Sequence, residues 1–184
     1  MIELPEYNQI LSVSGFTNTI ILSPKQLLHT LRRNLGNIPL QILNATYIAG
    51  KQHVLFATIN ALNAFQQGNN LSTHIEVEIL LYLSAQRQIK KAIELVGVKT
   101  HTHQIAVIFL TSNREETKRK EKLLQQSISG QRDDTIINLV ENKRPHLMKA
   151  FNISPIQLQA TAKQGLDALE ALIIEKSAML AVSK

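Results

Sequence analysis

Few residues of this chain combine the types and spacing that chemistry requires. Glu76 and Glu78 stand two apart in a run of alternating apolar residues, so on a strand their carboxylates share one face. Such a pair can serve acid–base chemistry; a solvent-facing edge, or a helix covering them with a salt bridge, is the plainer account. In a strand the two rings of His101-Thr102-His103 would also share a face. No carboxylate stands near them to complete a metal site, and a polar turn fits better. Lys51-Gln52-His53 opens an apolar-periodic segment. A helix start there aims amides and side chains at one place and can receive a phosphate or carboxylate; a surface lysine beside a packing histidine explains the same residues equally well. Arg87, Lys90, Lys91 and Glu94 fall opposite an Ile89/Ile93 stripe. Arg87 lies in the first turn, where the helix dipole favours an anion, so its charge does nothing for the helix and suits a ligand instead; ordinary solvated surface charge is the alternative. The sequence contains no Gly-rich phosphate loop, serine nucleophile elbow or other catalytic constellation.

The elements that would carry these residues can be read from periodicity. Ile75, Val77, Ile79, Leu81 and Leu83 recur at every second position, which predicts a half-buried strand. A helix then follows with Ser84 as N-cap, Ile89, Ala92, Ile93 and Val96 as its stripe, and Gly97 as a left-handed cap. Residues 105–110 read as a buried strand. Earlier in the chain, residues 10–16 predict a strand. Ser23-Pro24 opens a helix with Leu27, Leu28, Leu31 and Leu35 inside and Gly36 at its end. A strand over 40–45 and a helix over 51–67 follow.

Residues 112–134 form a charged insertion, with Glu115/Arg119 and Glu116/Lys120 spaced to support an exposed helix. Residues 134–151 predict a strand or short helix and then a second short helix, with Pro145 breaking the pattern. From Ser154-Pro155 a long helix runs towards Val182. Its main stripe is Leu158, Ala162, Leu166, Leu169, Ile173 and Leu180. Ala160, Ala168, Ala171 and Ile174 leave a second apolar face for the core or for another subunit to cover.

The 184 residues suffice for one core and one domain, with 44% hydrophobic and 18% charged residues as in globular proteins. No apolar run is long enough to span a bilayer, and the N-terminus lacks a basic region followed by an apolar one, which predicts a cytoplasmic protein without membrane contact. The absence of cysteine excludes disulfides and thiolate zinc sites. Lys and Arg number 20 against 14 Asp and Glu, and the net charge of +6 favours a polyanionic partner. With 4% aromatic residues, extensive base-stacking platforms are not expected.

Glu78-Ile79-Leu80, Ser84-Ala85-Gln86-Arg87-Gln88-Ile89 and Ala92-Ile93 resemble the kinase-binding subunit family of the KEOPS complex, the family of the PRPK-binding protein and its archaeal counterparts. Gln41-Ile42-Leu43-Asn44-Ala45, Lys51-Gln52-His53-Val54-Leu55 and the C-terminal helix add to the likeness, which spans roughly residues 11–180. The charged 114–128 region is longer than the family pattern, and nothing is carried onto it. The resemblance implies an α/β protein with a small mixed β-sheet covered by helices and a long C-terminal helix, with no activity of its own and no cofactor. It implies docking on the complex's atypical kinase/ATPase subunit, an indirect link to the threonylcarbamoyl transferase subunit, and tRNA held by its 3′ CCA end. Arg87 and Gln88 are the implied RNA contacts, with Lys91, Lys51 and His53 as secondary candidates and Leu172 and Ile174 as the kinase-facing positions. A scaffold that regulates the kinase without touching RNA is the alternative.

Overall fold

The computed structural model describes residues 1–161 and 167–181. In chain order the elements begin with β1 (Ile2–Leu4), β2 (Gln9–Thr17), α1 (Pro24–Leu35), β3 (Leu40–Asn44), α2 (Lys51–Gln66), α3 (Ile75–Ser84) and α4 (Ile89–Val96). They continue with β4 (Ile105–Thr111), α5 (Arg114–Ser127), β5 (Gln131–Arg132), α6 (Arg144–Ala150), α7 (Pro155–Thr161) and α8 (Ala168–Ala178). The chain resolves into two compact units, Met1–Ala45 with Gly97–Ile136 and Thr46–Val96 with Ile137–Lys184.

The first unit holds the sheet, in the order β1-β2-β4-β3, with β5 on β2. The expected α/β class holds. The sheet itself is antiparallel at every described pairing, not mixed. β2 and β3 run the same way, but β4 lies between them and opposes both, so no parallel pair forms. The register sets Phe16 opposite Ile105 and Ile42 opposite Val107, with Phe109 opposite Leu40. Onto that face pack Leu31 and Leu35 of α1 and Leu124 of α5. Each fully buried Leu or Phe there contributes roughly 1.5–3 kcal/mol.

α1 forms as its sequence predicts: the Ser23 hydroxyl accepts from the Gln26 amide, Pro24 stands in the first turn, and Gly36 ends the helix at φ +79°. The charged insertion is an integral helix of this unit. Asn113 caps α5 by accepting from the Glu116 amide, and Thr117, Lys120 and Leu124 face inward. Lys120 donates to the carbonyl of Leu35, the last residue of α1, and pairs with Glu116 at 3.4 Å. A cation there also suits the negative end of the α1 dipole.

The second unit corrects several expectations. Residues 75–84 are helix α3, not a strand, because Ile79, Leu80, Leu81, Tyr82 and Leu83 are all buried in succession. A helix buried on all sides carries no one-sided stripe, and its apolar residues can mimic alternation. Ser84 is the last residue of α3 and donates to the Leu81 carbonyl; it caps no following helix. Ala85, at φ +50°, takes the left-handed position. α4 starts only at Ile89, so Arg87 precedes it. Its buried residues are Ala92 and Val96, whereas Ile89 and Ile93 are exposed. Gly97 makes an antiparallel bridge to Leu43 in the first unit and does not take the left-handed region.

Pro145 opens α6 and does not interrupt it. The C-terminal helical region is present, and Ser154 caps α7 in a reciprocal box with Gln157. Asp167 divides the region: it is non-helical and its carboxylate accepts from the Leu169 amide at the start of α8. Ala162 and Leu166 of the expected stripe, and Val182 at the expected end of the helix, lie outside the described residues. Leu169, Leu172 and Ile173 of α8 share a core with Leu147, Phe151 and Ile153.

Candidate binding site

In the second unit the junction between α3 and α4 brings together Arg87, Gln88 and, one turn on, Lys91. All three are exposed, as is Lys90. The Ala85 turn reverses the chain after α3, with the Ala85 amide bonded to the Tyr82 carbonyl at 3.1 Å. The Gln88 carbonyl then accepts from Ala92 and starts α4. The Arg87 guanidinium donates to the Leu180 carbonyl at 3.3 Å, which fixes its direction.

Beside Arg87 lies a cleft of about 260 Å³, lined by Asn60 and Asn63 of α2, Gln67 at its C-cap, Tyr82 of α3, and Leu180. Burial first, and then the Glu78 carboxylate, push the Tyr82 hydroxyl above its ordinary pKa, so it stays a neutral donor and acceptor. A guanidinium at the rim can hold an anionic group, while carboxamides and a phenol inside suit a neutral hydrogen-bonding one. No nucleophile is paired with a base in the cleft. Tyr82 and the α2 amides escaped the sequence reading. Asn60, Asn63 and Gln67 do recur at i, i+3 and i+7, a polar stripe legible once 51–67 is taken as a helix.

The other expected site residues lie elsewhere. Lys51 is exposed at the start of α2, nine residues before Asn60 and thus roughly 14 Å along the helix axis. His53 is fully buried. Its Nδ1 accepts from the Ala49 amide at 3.2 Å and its Nε2 lies 3.0 Å from the Leu83 carbonyl, so both ring nitrogens serve the fold. The ring meets Phe151 edge-on at 5.8 Å between centroids. The α2 N-terminus does receive a carboxylate, and it is the chain's own: Glu170 of α8 accepts from the His53 amide at 3.2 Å. Burial pushes that carboxyl above its ordinary pKa, opposed by the amide bonds.

Gly50, at φ +139°, leaves room for this cap, since a Cβ there would stand 2.2 Å from Glu170 Oε1. Gly50→Ala is therefore expected to cost about 2 kcal/mol of stability, read from the shift of a urea midpoint.

Glu78 is buried and accepts from the amides of Leu71 and Ser72, at 3.0 and 2.7 Å, so it closes a turn and forms no catalytic pair with Glu76. His101 and His103 stand at an exposed turn, bonded to Thr100 and to the Thr19 carbonyl. Leu172 is buried in the chain's own core, while Ile174 is half-buried. Among the described residues no group of three or more His, Cys, Asp or Glu is placed to hold a metal, and no helix is long and apolar enough to cross a membrane.

Comparison with known proteins supplies the class. Residues 17–181 match the family model described as kinase binding protein CGI-121. The chain is 30% identical over 151 residues to the regulatory protein Cgi121 of Methanocaldococcus jannaschii, covering 82% of this chain and 88% of that one. A shorter match, 42% over 66 residues, covers 36% of this chain and 37% of the KEOPS complex subunit Cgi121 of Pyrococcus abyssi. The chain belongs to the CGI-121 kinase-binding protein family.

Proposed function

We propose that this protein is a non-catalytic subunit of a KEOPS complex that binds the complex's atypical kinase/ATPase and recruits tRNA for threonylcarbamoyl transfer by gripping the single-stranded 3′ CCA end. Family membership supports the kinase contact, and the name of the P. abyssi relative supports the complex. The observation that carries the RNA contact is the placement of Arg87 at the rim of an amide-lined cleft, with Gln88, Lys90 and Lys91 exposed beside it. Lys51 serves as an outlying cation. His53, being enclosed, acts only by holding the start of α2. On α8, Leu172 is committed to the core, so kinase docking falls to the half-buried strip of Ala171 and Ile174 with exposed Ala178.

Arg87→Glu is expected to weaken tRNA binding roughly tenfold and to flatten the salt dependence of log K by about 0.7, the loss of one single-strand phosphate contact. Filter binding at several salt concentrations, with kinase pull-down as the control, checks this. Unchanged affinity and slope with the kinase still bound would favour the second reading, a kinase regulator that does not touch RNA; the name of the M. jannaschii relative, a regulatory protein, speaks for that reading.

A further inference from the structure

The acids and cations of the charged helix α5 differ in how they are used. In α5, Glu116 is spent on Lys120, and Glu121 on the Ser12 hydroxyl at 2.6 Å and on Arg132 at 4.0 Å. Arg114 is paired with Glu3. What remains exposed on this helix is Lys118, Arg119 and Lys122 against the single acid Glu115. α1 packs on the same sheet face and contains no acid, and its Lys25, Arg32 and Arg33 are exposed. The two helices are joined by Lys120 on the Leu35 carbonyl and by Asn34 on Ser127 at 3.0 Å. Charge is thus sorted: Glu116 and Glu121 are half-buried and paired, and the exposed charges of the two helices besides Arg114 are six cations and Glu115.

We propose that the α1–α5 face is a sequence-independent docking surface for the phosphate backbone of a double-stranded RNA stem. It rests on the reading of this chain as an RNA-handling subunit, but it lies in the other compact unit from Arg87 and grips a different part of the polymer. The chemistry of the face selects this occupant. A membrane-surface helix needs an apolar face to insert, and the apolar faces of both helices are spent on the sheet, with Leu123 the one large hydrophobe exposed on either. A protein partner would need a cluster of aromatic or aliphatic anchors, and the outward positions of the two helices offer Leu123 alone. Phosphates need only cations, and Lys and Arg contacts to them read charge and not sequence. A second copy of this chain is disfavoured by like charge, given the net +6.

The test uses the full-length protein and an RNA hairpin with no single-stranded end. Neutralising Lys118→Gln, Arg119→Gln and Lys122→Gln together is expected to weaken hairpin binding about tenfold or more and to flatten its salt slope by about 2 to 3. Arg87→Glu is expected to leave hairpin binding as it was. The charge-preserving pair Lys118→Arg and Lys122→Arg is expected to bind as wild type, and all variants to melt at the wild-type temperature. A variant that loses hairpin affinity while Arg87→Glu spares CCA-dependent binding sinks the single-strand site and leaves the stem surface standing. Hairpin binding that ignores the triple variant overturns the proposal. So does a wild-type chain that passes over the hairpin, whether it binds phosphatidylserine vesicles or not.

Discussion

Between about pH 6.5 and pH 4, His53→Gln is expected to lose far less stability than the wild-type protein, the difference amounting to about 3 kcal/mol. Burial pulls the His53 pKa down from 6.5 to about 4; the Leu83 carbonyl opposes this and Lys143 adds to it. The hydrogen bonds give the reason in atomic terms. Nδ1 accepts from the Ala49 amide, so the proton sits on Nε2, and a second proton would have to be placed facing a donor. The unfolded chain therefore takes up the proton first as pH falls. Stability declines through this window and levels off below the folded pKa. Glu170, whose carboxyl is pushed up by burial, works in the opposite sense above its ordinary value, so the wild-type curve alone mixes the two. Subtracting the variant from the wild type isolates His53. Parallel urea midpoints across the window would show that the ring is not held neutral as described.

Gly15→Ala is the second large effect. Its Cβ would stand 2.3 Å from the Asp133 carbonyl oxygen and 2.7 Å from Ile136 Cγ1. Backbone cannot swing aside as a side-chain tip can. Here it is also pinned, because the Asp133 amide donates to the Gly15 carbonyl at 2.9 Å and the Gly15 amide donates to Asp134 Oδ1 at 2.9 Å. The expected cost is about 3 kcal/mol or more, the upper end for an overpacked site. Gly68→Ala supplies the contrast. Nothing lies within 4 Å of its Cβ position, and only its φ of +67° resists, so about 1 kcal/mol is expected. Equal losses for the two variants in chemical unfolding would remove the packing account.

What the sequence revealed tracks how locally each element is determined. α1 announces both ends, through Ser23-Pro24 and Gly36, and its leucines fall on one side. β4 is legible because every residue of it is apolar or β-prone and buried. α3 is not legible as a helix because burial on all sides erases the contrast that periodicity needs. Its end was hidden as well, since Ala85 takes a backbone conformation that alanine rarely adopts. Arg87 and Gln88 could be singled out by motif and charge. The cleft beside them could not, because it joins α2, α3 and the turn that follows α8. The ligand of the α2 N-terminus was equally out of reach: the expected anion arrived from Glu170, far along the chain.

The pairing of β2 with β4 sets a condition on biosynthesis. Ile10 faces Thr111, so the central seam of the sheet cannot close while the intervening chain is still inside the ribosome. Until then β1 and β2 can build no more than a two-stranded hairpin, open along both edges and too small to be stable alone. An emerging polypeptide in that state exposes strand backbone to any neighbour. Trigger-type holding factors, or slow synthesis at low temperature, should therefore raise soluble yield more than any stabilising change within α8.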